Sequence, residues 1–232
     1  RGAGKSLTCV NIANNVYNQG RSSIYFTIEM DSRSILQRMC ALGARVPIGR
    51  LATRNLTNIE WNRVAEWWAS RFEGGQEDLP NFYEDRDFDE FHKTLTKKKL
   101  TKDRQLDVVY DPVLSLSRIR KELESKINQT DVGVIIVDYI NQVKRHNAPS
   151  RSGQYDWTEQ IEVSKTLKSI AQEYEVPVFS PYQTDNTGEA RFAKGILDAA
   201  DAAFTLETWE QADACITFTC TKMRSAKMEG FT

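Results

Sequence analysis

Histidine and cysteine are scarce in this chain. The two histidines among 232 residues, His92 and His146, are too isolated to suggest a metal site. The four cysteines (Cys9, Cys40, Cys215, Cys220) include no C-x-x-C pair. They are too few to staple a chain this long, so a disulfide scaffold is excluded and reduced, buried thiols are expected. Long apolar stretches are also missing. The longest, Val132–Val137, cannot span a bilayer. The start, Arg1–Ser6, carries no apolar signal region. No charge of one sign dominates: 31 basic residues face 32 acidic ones, a formal charge of −1. That excludes nucleic-acid binding by bulk charge and leaves room only for a local basic strip. There is no internal repeat and no low-complexity tract. What remains is 40% hydrophobic and 27% charged, the composition of a globular chain with a sizeable core.

Periodicity predicts alternating helices and strands. Ser6–Gln19 reads as a helix, Ser23–Ile28 as a strand and Ser32–Ala44 as a helix with Ile35, Met39 and Leu42 on one face. Thr57-Asn58-Ile59-Glu60 is a capping box. It opens a helix whose Trp61, Val64, Trp68 and Phe72 read as core rather than as a binding surface. After an interruption, Leu106–Tyr110 reads as a strand and Ser117–Asn128 as a helix. Val132–Val137 reads as a strand buried on both faces, as in a parallel sheet. Thr158–Tyr174 follows as a helix, and Val176–Ser180, Ala202–Leu206 and Ala214–Thr221 as strands. Such alternation predicts a single α/β domain over residues 1–232 with a mostly parallel sheet.

The interruption spans Glu73–Arg104. Glu73–Glu90 holds eight acids and one Arg, and His92–Arg104 holds six Lys or Arg and one Asp. We expect a solvated insertion whose two halves attract each other. Lys97-Lys98-Lys99 is a secondary candidate for DNA contact.

Gly4-Lys5-Ser6 opens the first helix. It matches the end of the phosphate-binding pattern G-x-x-x-x-G-K-[ST], whose first glycine would lie before Arg1. The chain is therefore expected to begin inside that loop. Backbone N–H groups at such a helix start cradle phosphate, Lys5 would neutralise it, and the Ser6 hydroxyl would ligate Mg²⁺. The run Val134–Val137 ends in Asp138, where a carboxylate associated with the magnesium is expected. The strand Ser23–Ile28 is followed at once by Glu29, placed to accept a proton from an attacking water.

These segments resemble a known family. Ile24-Tyr25-Phe26-Thr27-Ile28-Glu29-Met30 with Arg38-Met39, the run Val134–Gln142, and Glu162–Val178 with its Ser164–Ala171 stretch are similar to the ATPase domain of DnaB-type replicative DNA helicases. So is Lys222-Met223-Arg224. The likeness covers nearly the whole chain except Glu73–Arg104, and its departures suggest a phage-type member. It implies a RecA-like P-loop NTPase core that binds ATP and Mg²⁺. The implied nucleotide-binding residues are Arg1, Gly2, Ala3, Gly4, Lys5, Ser6 and Leu7. Glu29 would activate water, and Ser6 and Asp138 would hold the metal. Gln183 would sense the γ-phosphate, and Lys222 and Arg224 would reach into a neighbouring subunit's site. Two departures stand out: Tyr182 precedes Gln183 where the family commonly has Ser, and Ser225-Ala226 replaces Asn-Gly.

The resemblance also implies a homohexamer moving along single-stranded DNA in a bacterial or phage-infected cytoplasm, with primase and a helicase loader as partners. Two locally basic loops would face the ring's channel. One holds Lys144, Arg145 and Arg151; the other, Thr184–Gly195, holds Arg191, Lys194 and Gly195. Two other readings stand beside this one. One is a recombinase-like or clock-type ATPase on the same core. The other is a ring subunit that binds nucleotide without hydrolysing it.

Overall fold

The computed structural model describes residues 4–145, 157–182, 191–208 and 215–225. Helix α1 (Lys5–Asn18) leads into strand β1 (Ser22–Thr27). Helices α2 (Ser32–Gly43), α3 (Ile48–Ala52) and α4 (Asn58–Ala69) follow, and then a 3-10 turn at Gly75–Asp78, α5 (Leu79–Asp85) and α6 (Phe88–Leu95). The alternation resumes with β2 (Leu106–Tyr110), α7 (Leu116–Ile127), β3 (Val132–Asp138), α8 (Trp157–Glu173) and β4 (Val178–Phe179). Helix α9 (Arg191–Ala199) and strands β5 (Ala202–Thr208) and β6 (Ile216–Met223) end the described chain.

The first four strands form one parallel sheet in the order β2-β1-β3-β4. Successive side chains of a strand point to opposite faces, so each central strand feeds two cores. Ile24, Phe26, Ile135 and Val137 pack under α7 and α8. Tyr25, Val134 and Ile136 pack under α1, α2 and α4. Every residue of β1 and β3 is buried, which is why these strands read as continuous runs rather than alternating ones. The expected strands near residues 202 and 216 are present, but they pair antiparallel with each other as a separate two-stranded ribbon.

Local chemistry sets the helix starts. The Thr57 side chain accepts the Glu60 N–H while Glu60 accepts the Thr57 N–H, so the predicted capping box is formed. The Asp31 and Ser115 side chains cap α2 and α7 by accepting the Ser34 and Arg118 N–H groups. The α4 aromatics are core, as expected. Val64 and Trp67 are buried, and Trp61, Trp68 and Phe72 pack against the same clusters.

The insertion differs from its expectation. It is a helical unit with a core of its own: Leu79, Phe82, Phe91 and Leu95 close over Ala65 and Ala69 of α4. The two halves do meet, through Lys98 and Asp78 at 2.6 Å. Apolar burial, however, holds the unit together. Leu95 is fully buried, so Leu95→Ala should cost about 2–5 kcal/mol through lost contact and a residual cavity. Denaturant unfolding checks the magnitude. Hydrogen exchange should show protection falling first across α5 and α6.

Candidate active site

The site begins at the start of α1. Gly4 is its N-cap residue, with φ 77° and ψ 11°, and no side chain caps the helix. The left-handed backbone favours glycine. Space demands it too, because a Cβ here would lie 2.4 Å from Ile216 Cδ1 at the start of β6. Among the described residues no side chain caps the N–H groups of the first turn, and Lys5 and Ser6 stand beside them, an arrangement suited to an anion. Leu7 is exposed on the same turn. Arg1, Gly2 and Ala3 lie outside the described residues.

Asp138 ends β3 at the sheet's carboxyl edge and is buried. It follows Val134 and Ile136 at strand spacing, and therefore faces α1. The Tyr25 hydroxyl donates to Asp138 Oδ2 at 2.7 Å. Cys9 lies in the same space, three residues along α1 from Ser6 and on the same helical face. Its thiol is pushed up to about 12, first by burial and then by the charge of Asp138. The Tyr25 phenol is raised by the same two causes in the same order. Both directions follow first from burial and second from the Asp138 carboxylate lying beneath the first turns of α1. Among the described residues no three His, Cys, Asp or Glu side chains gather to hold a metal. The Ser6 hydroxyl and the Asp138 carboxylate are oxygen donors of the kind a hard divalent ion takes, and they belong to elements that meet at this edge.

Glu29 stands two residues beyond Thr27, which pairs in register with Asp138. The Ile28 N–H donates to the Asp138 carbonyl at 3.2 Å, tying the two strand ends together. The peptide bond between Asp138 and Tyr139 is cis. The buried Tyr139 hydroxyl donates to Glu29 Oε1 at 3.1 Å and in turn accepts from Gln142 Nε2. Glu29 itself is exposed, so one carboxylate oxygen is held while the group stays open to water. Sequence reasoning missed the roles of Tyr25 and Tyr139. For Tyr25 the available signal is a phenol inside an apolar strand, since a buried tyrosine hydroxyl needs an acceptor.

The end of β4 joins the same edge. The Ser180 hydroxyl donates to the Val137 carbonyl at 2.6 Å, and the Ile140 N–H donates to the Pro181 carbonyl at 3.3 Å. Gln183, two residues further on, lies outside the described residues.

Lys222 and Arg224 converge elsewhere within this chain. Lys222 Nζ donates to the carbonyls of Leu197 and Asp198, and Arg224 Nη2 donates to the Asp198 carbonyl at 2.7 Å. The Arg224 N–H bonds the Asp201 carbonyl at 2.9 Å. Both cations therefore sit at the C-terminal end of α9, where helix carbonyls and the macrodipole favour positive charge.

Parts of both expected DNA loops lie among the described residues. Lys144 is not in an open loop: its N–H bonds Leu114 and its carbonyl accepts from Leu116. Arg145 pairs with Glu162 of α8, and its N–H donates to Glu159 Oε1 at 2.9 Å. Both partners of that surface pair stay exposed, at 53% and 42%. Gly195 lies inside α9, where a Cβ would come within 2.4 Å of Ile161 Cδ1. A glycine is needed there for α9 to approach α8. The Ser164 hydroxyl reinforces that contact by donating to the Ile196 carbonyl at 2.9 Å. Arg191 and Lys194 lie on the first turns of α9. Arg151 lies outside the described residues.

The parallel sheet, with helices on both faces and these groups at its carboxyl edge, is a RecA-like α/β core of the kind found in helicase ATPase domains. One solved ATPase domain superposes with a TM-score of 0.69 at 14% identity, over 98% of this chain and 76% of that one. A DnaB-like replicative helicase, solved in a study of its interactions with primase, gives 0.69 at 13% identity, over 97% of this chain and 50% of that one. The chain belongs to the DnaB-like helicase C terminal domain family, whose model it matches over residues 1–195. Among curated relatives, the replicative DNA helicase DnaC of Bacillus subtilis is 25% identical over 189 residues, 81% of this chain and 34% of that protein. The replicative DNA helicase DnaB of Geobacillus stearothermophilus is 24% identical over 189 residues, again 81% and 34%. The chain thus spans about a third of the length of these relatives.

Proposed function

We propose that this domain is the ATP-hydrolysing motor of a replicative DNA helicase that works as a homohexameric ring on single-stranded DNA. One observation carries the proposal. The uncapped start of α1, the buried Asp138 and the exposed Glu29 share one edge of one parallel sheet. ATP would lie with its phosphates on the first turn of α1 and on Lys5. Ser6 and Asp138 would hold a magnesium ion, whose charge would offset that of the phosphates. Glu29, oriented by Tyr139, would take the proton of the attacking water. Gln183 would report the γ-phosphate to the DNA-facing segment. Lys222 and Arg224 would act on the ATP of a neighbouring subunit.

Primase and a helicase loader are the partners we extend to this chain from its family, in the cytoplasm of a bacterial cell or of a phage's host. No helix among the described residues is long and apolar enough to cross a membrane.

Lys144, Arg145, Arg151, Arg191, Lys194 and Gly195 remain the candidates for DNA contact, and Arg191 and Lys194 serve as the test pair. Arg191→Ala with Lys194→Ala should weaken single-stranded DNA binding equally across sequences. The salt-dependence slope should fall by roughly 0.7 for each lost phosphate contact. Basal ATPase should persist and its stimulation by DNA should drop. Binding titrations at several salt concentrations check this. An unchanged affinity and slope would move the DNA site, with Lys97, Lys98 and Lys99 next in line.

A further inference from the structure

We infer that Tyr25 is a positioning residue for the metal-associated carboxylate: its phenol holds Asp138 Oδ2 and leaves Oδ1 to serve the cation under α1. This rests on the proposed nucleotide site. The geometry is specific. Tyr25 is fully buried at the centre of β1, opposite Ile136 of β3. Asp138 is two residues beyond Ile136, so both side chains emerge on the face covered by α1. The hydroxyl meets Oδ2 at 2.7 Å, a short bond of the kind a charged acceptor makes. It closes a span of 113 residues between two strands locked in register.

A free carboxylate can rotate about its last bond and offer either oxygen. With Oδ2 engaged by a buried donor, that rotation is suppressed. The unengaged oxygen then has a fixed direction relative to Ser6, because Ser6 and Cys9 share a face of the helix that packs over it. Partners of this kind orient metal ligands and contribute to affinity without touching the ion.

The core alone does not require the hydroxyl. A phenylalanine at position 25 would fill the same space among Cys9, Val10, Ala13 and Ile136, and would leave Oδ2 without its donor. The phenol's contribution is therefore separable from that of the ring.

The experiment compares wild type with Tyr25→Phe in the full-length protein. Binding of a fluorescent ATP analogue is followed as Mg²⁺ is titrated, beside thermal melting and steady-state kinetics. In wild type, Mg²⁺ should tighten nucleotide binding with a measurable midpoint. In Tyr25→Phe that midpoint should rise by roughly 10–100-fold, the usual loss when the outer partner of a metal ligand is removed. Binding without Mg²⁺ should be unchanged, and kcat should fall at fixed Mg²⁺. In an Asp138→Asn background, Tyr25→Phe should add little, because the hydroxyl acts through that carboxylate.

A folded Tyr25→Phe protein with the wild-type midpoint overturns the inference and leaves the nucleotide site standing. So does a full further shift in the Asp138→Asn background. If wild type itself binds no nucleotide, or binds it without regard to Mg²⁺, the proposed site falls first. Should Tyr25→Phe fail to fold, wild type labelled with ¹³C at Tyr25 Cζ supplies the measurement. That resonance must move when Mg²⁺ joins the nucleotide-bound protein, and a stationary resonance overturns the inference.

Discussion

Two proteins that are each inactive should regain ATPase activity when mixed. Lys5→Ala removes the cation proposed to hold phosphates in a subunit's own site. Arg224→Ala removes the one proposed to reach a neighbour's, with an expected loss of roughly 10³-fold or more, the scale of an arginine supplied in trans. Neither homomeric ring should turn over. After subunit exchange, some interfaces pair the intact Lys5 of one subunit with the intact Arg224 of the next, and each holds one complete site. Single-turnover measurements beside steady state would detect them even if firing around the ring is strictly coupled. An Arg224 acting within its own subunit predicts no recovery at any ratio. The contacts of the single chain sharpen the question. Arg224 is bound to the Asp198 carbonyl and to Asp201 at the end of its own α9. Its side chain is 52% exposed, so acting in trans requires it either to use the guanidinium N–H groups not bound to Asp198 or to leave that carbonyl.

Glu29→Gln should bind nucleotide like wild type and lose about 10²–10⁴-fold in turnover, the usual contribution of general-base assistance. The substitution keeps the side chain's shape and an oxygen that can still accept from the Tyr139 hydroxyl, while removing the proton acceptor. Steady-state ATPase beside an equilibrium nucleotide titration separates the two effects. Unchanged turnover would eliminate Glu29 as the base and, with it, the purpose assigned to Tyr139.

The elements that carry these predictions were readable from residue order. Gly4-Lys5-Ser6 announces an anion-binding helix start, and an apolar run ending in Asp138 announces a buried parallel strand with a carboxylate at its ligand-binding edge. Their meeting follows from topology once the sheet is parallel. Other features depend on partners distant in sequence. Arg145 reads as a free loop cation until Glu162 of α8 comes beside it. Helix α9 was hidden by Gly195, which lowers helix propensity but is required by the close approach of Ile161. In the insertion the charge runs obscured a weaker signal that was present. Phe88, Phe91 and Leu95 fall at helical spacing, and Phe91 and Leu95 are buried.

The insertion also bears on how the chain can vary and how it folds. Its two ends are pinned together: Phe72 and Leu100 bridge, Glu73 N–H donates to the Lys99 carbonyl at 2.9 Å, and Thr101 N–H donates to the Arg71 carbonyl at 3.0 Å. The polypeptide thus leaves the main core and returns at nearly the same point. Docking β2 against β1 otherwise requires closing a long loop, since the bond from the Gln105 N–H to Ser22 Oγ spans 83 residues. An excursion already closed on itself drops out of that loop, although the saving is small, roughly half a kcal/mol or less, because closure entropy grows only logarithmically. Length at this point is therefore almost free for the sheet. Evolution can lengthen, shorten or replace the segment between Arg71 and Thr101 without disturbing the register of the strands that hold Asp138 and Glu29.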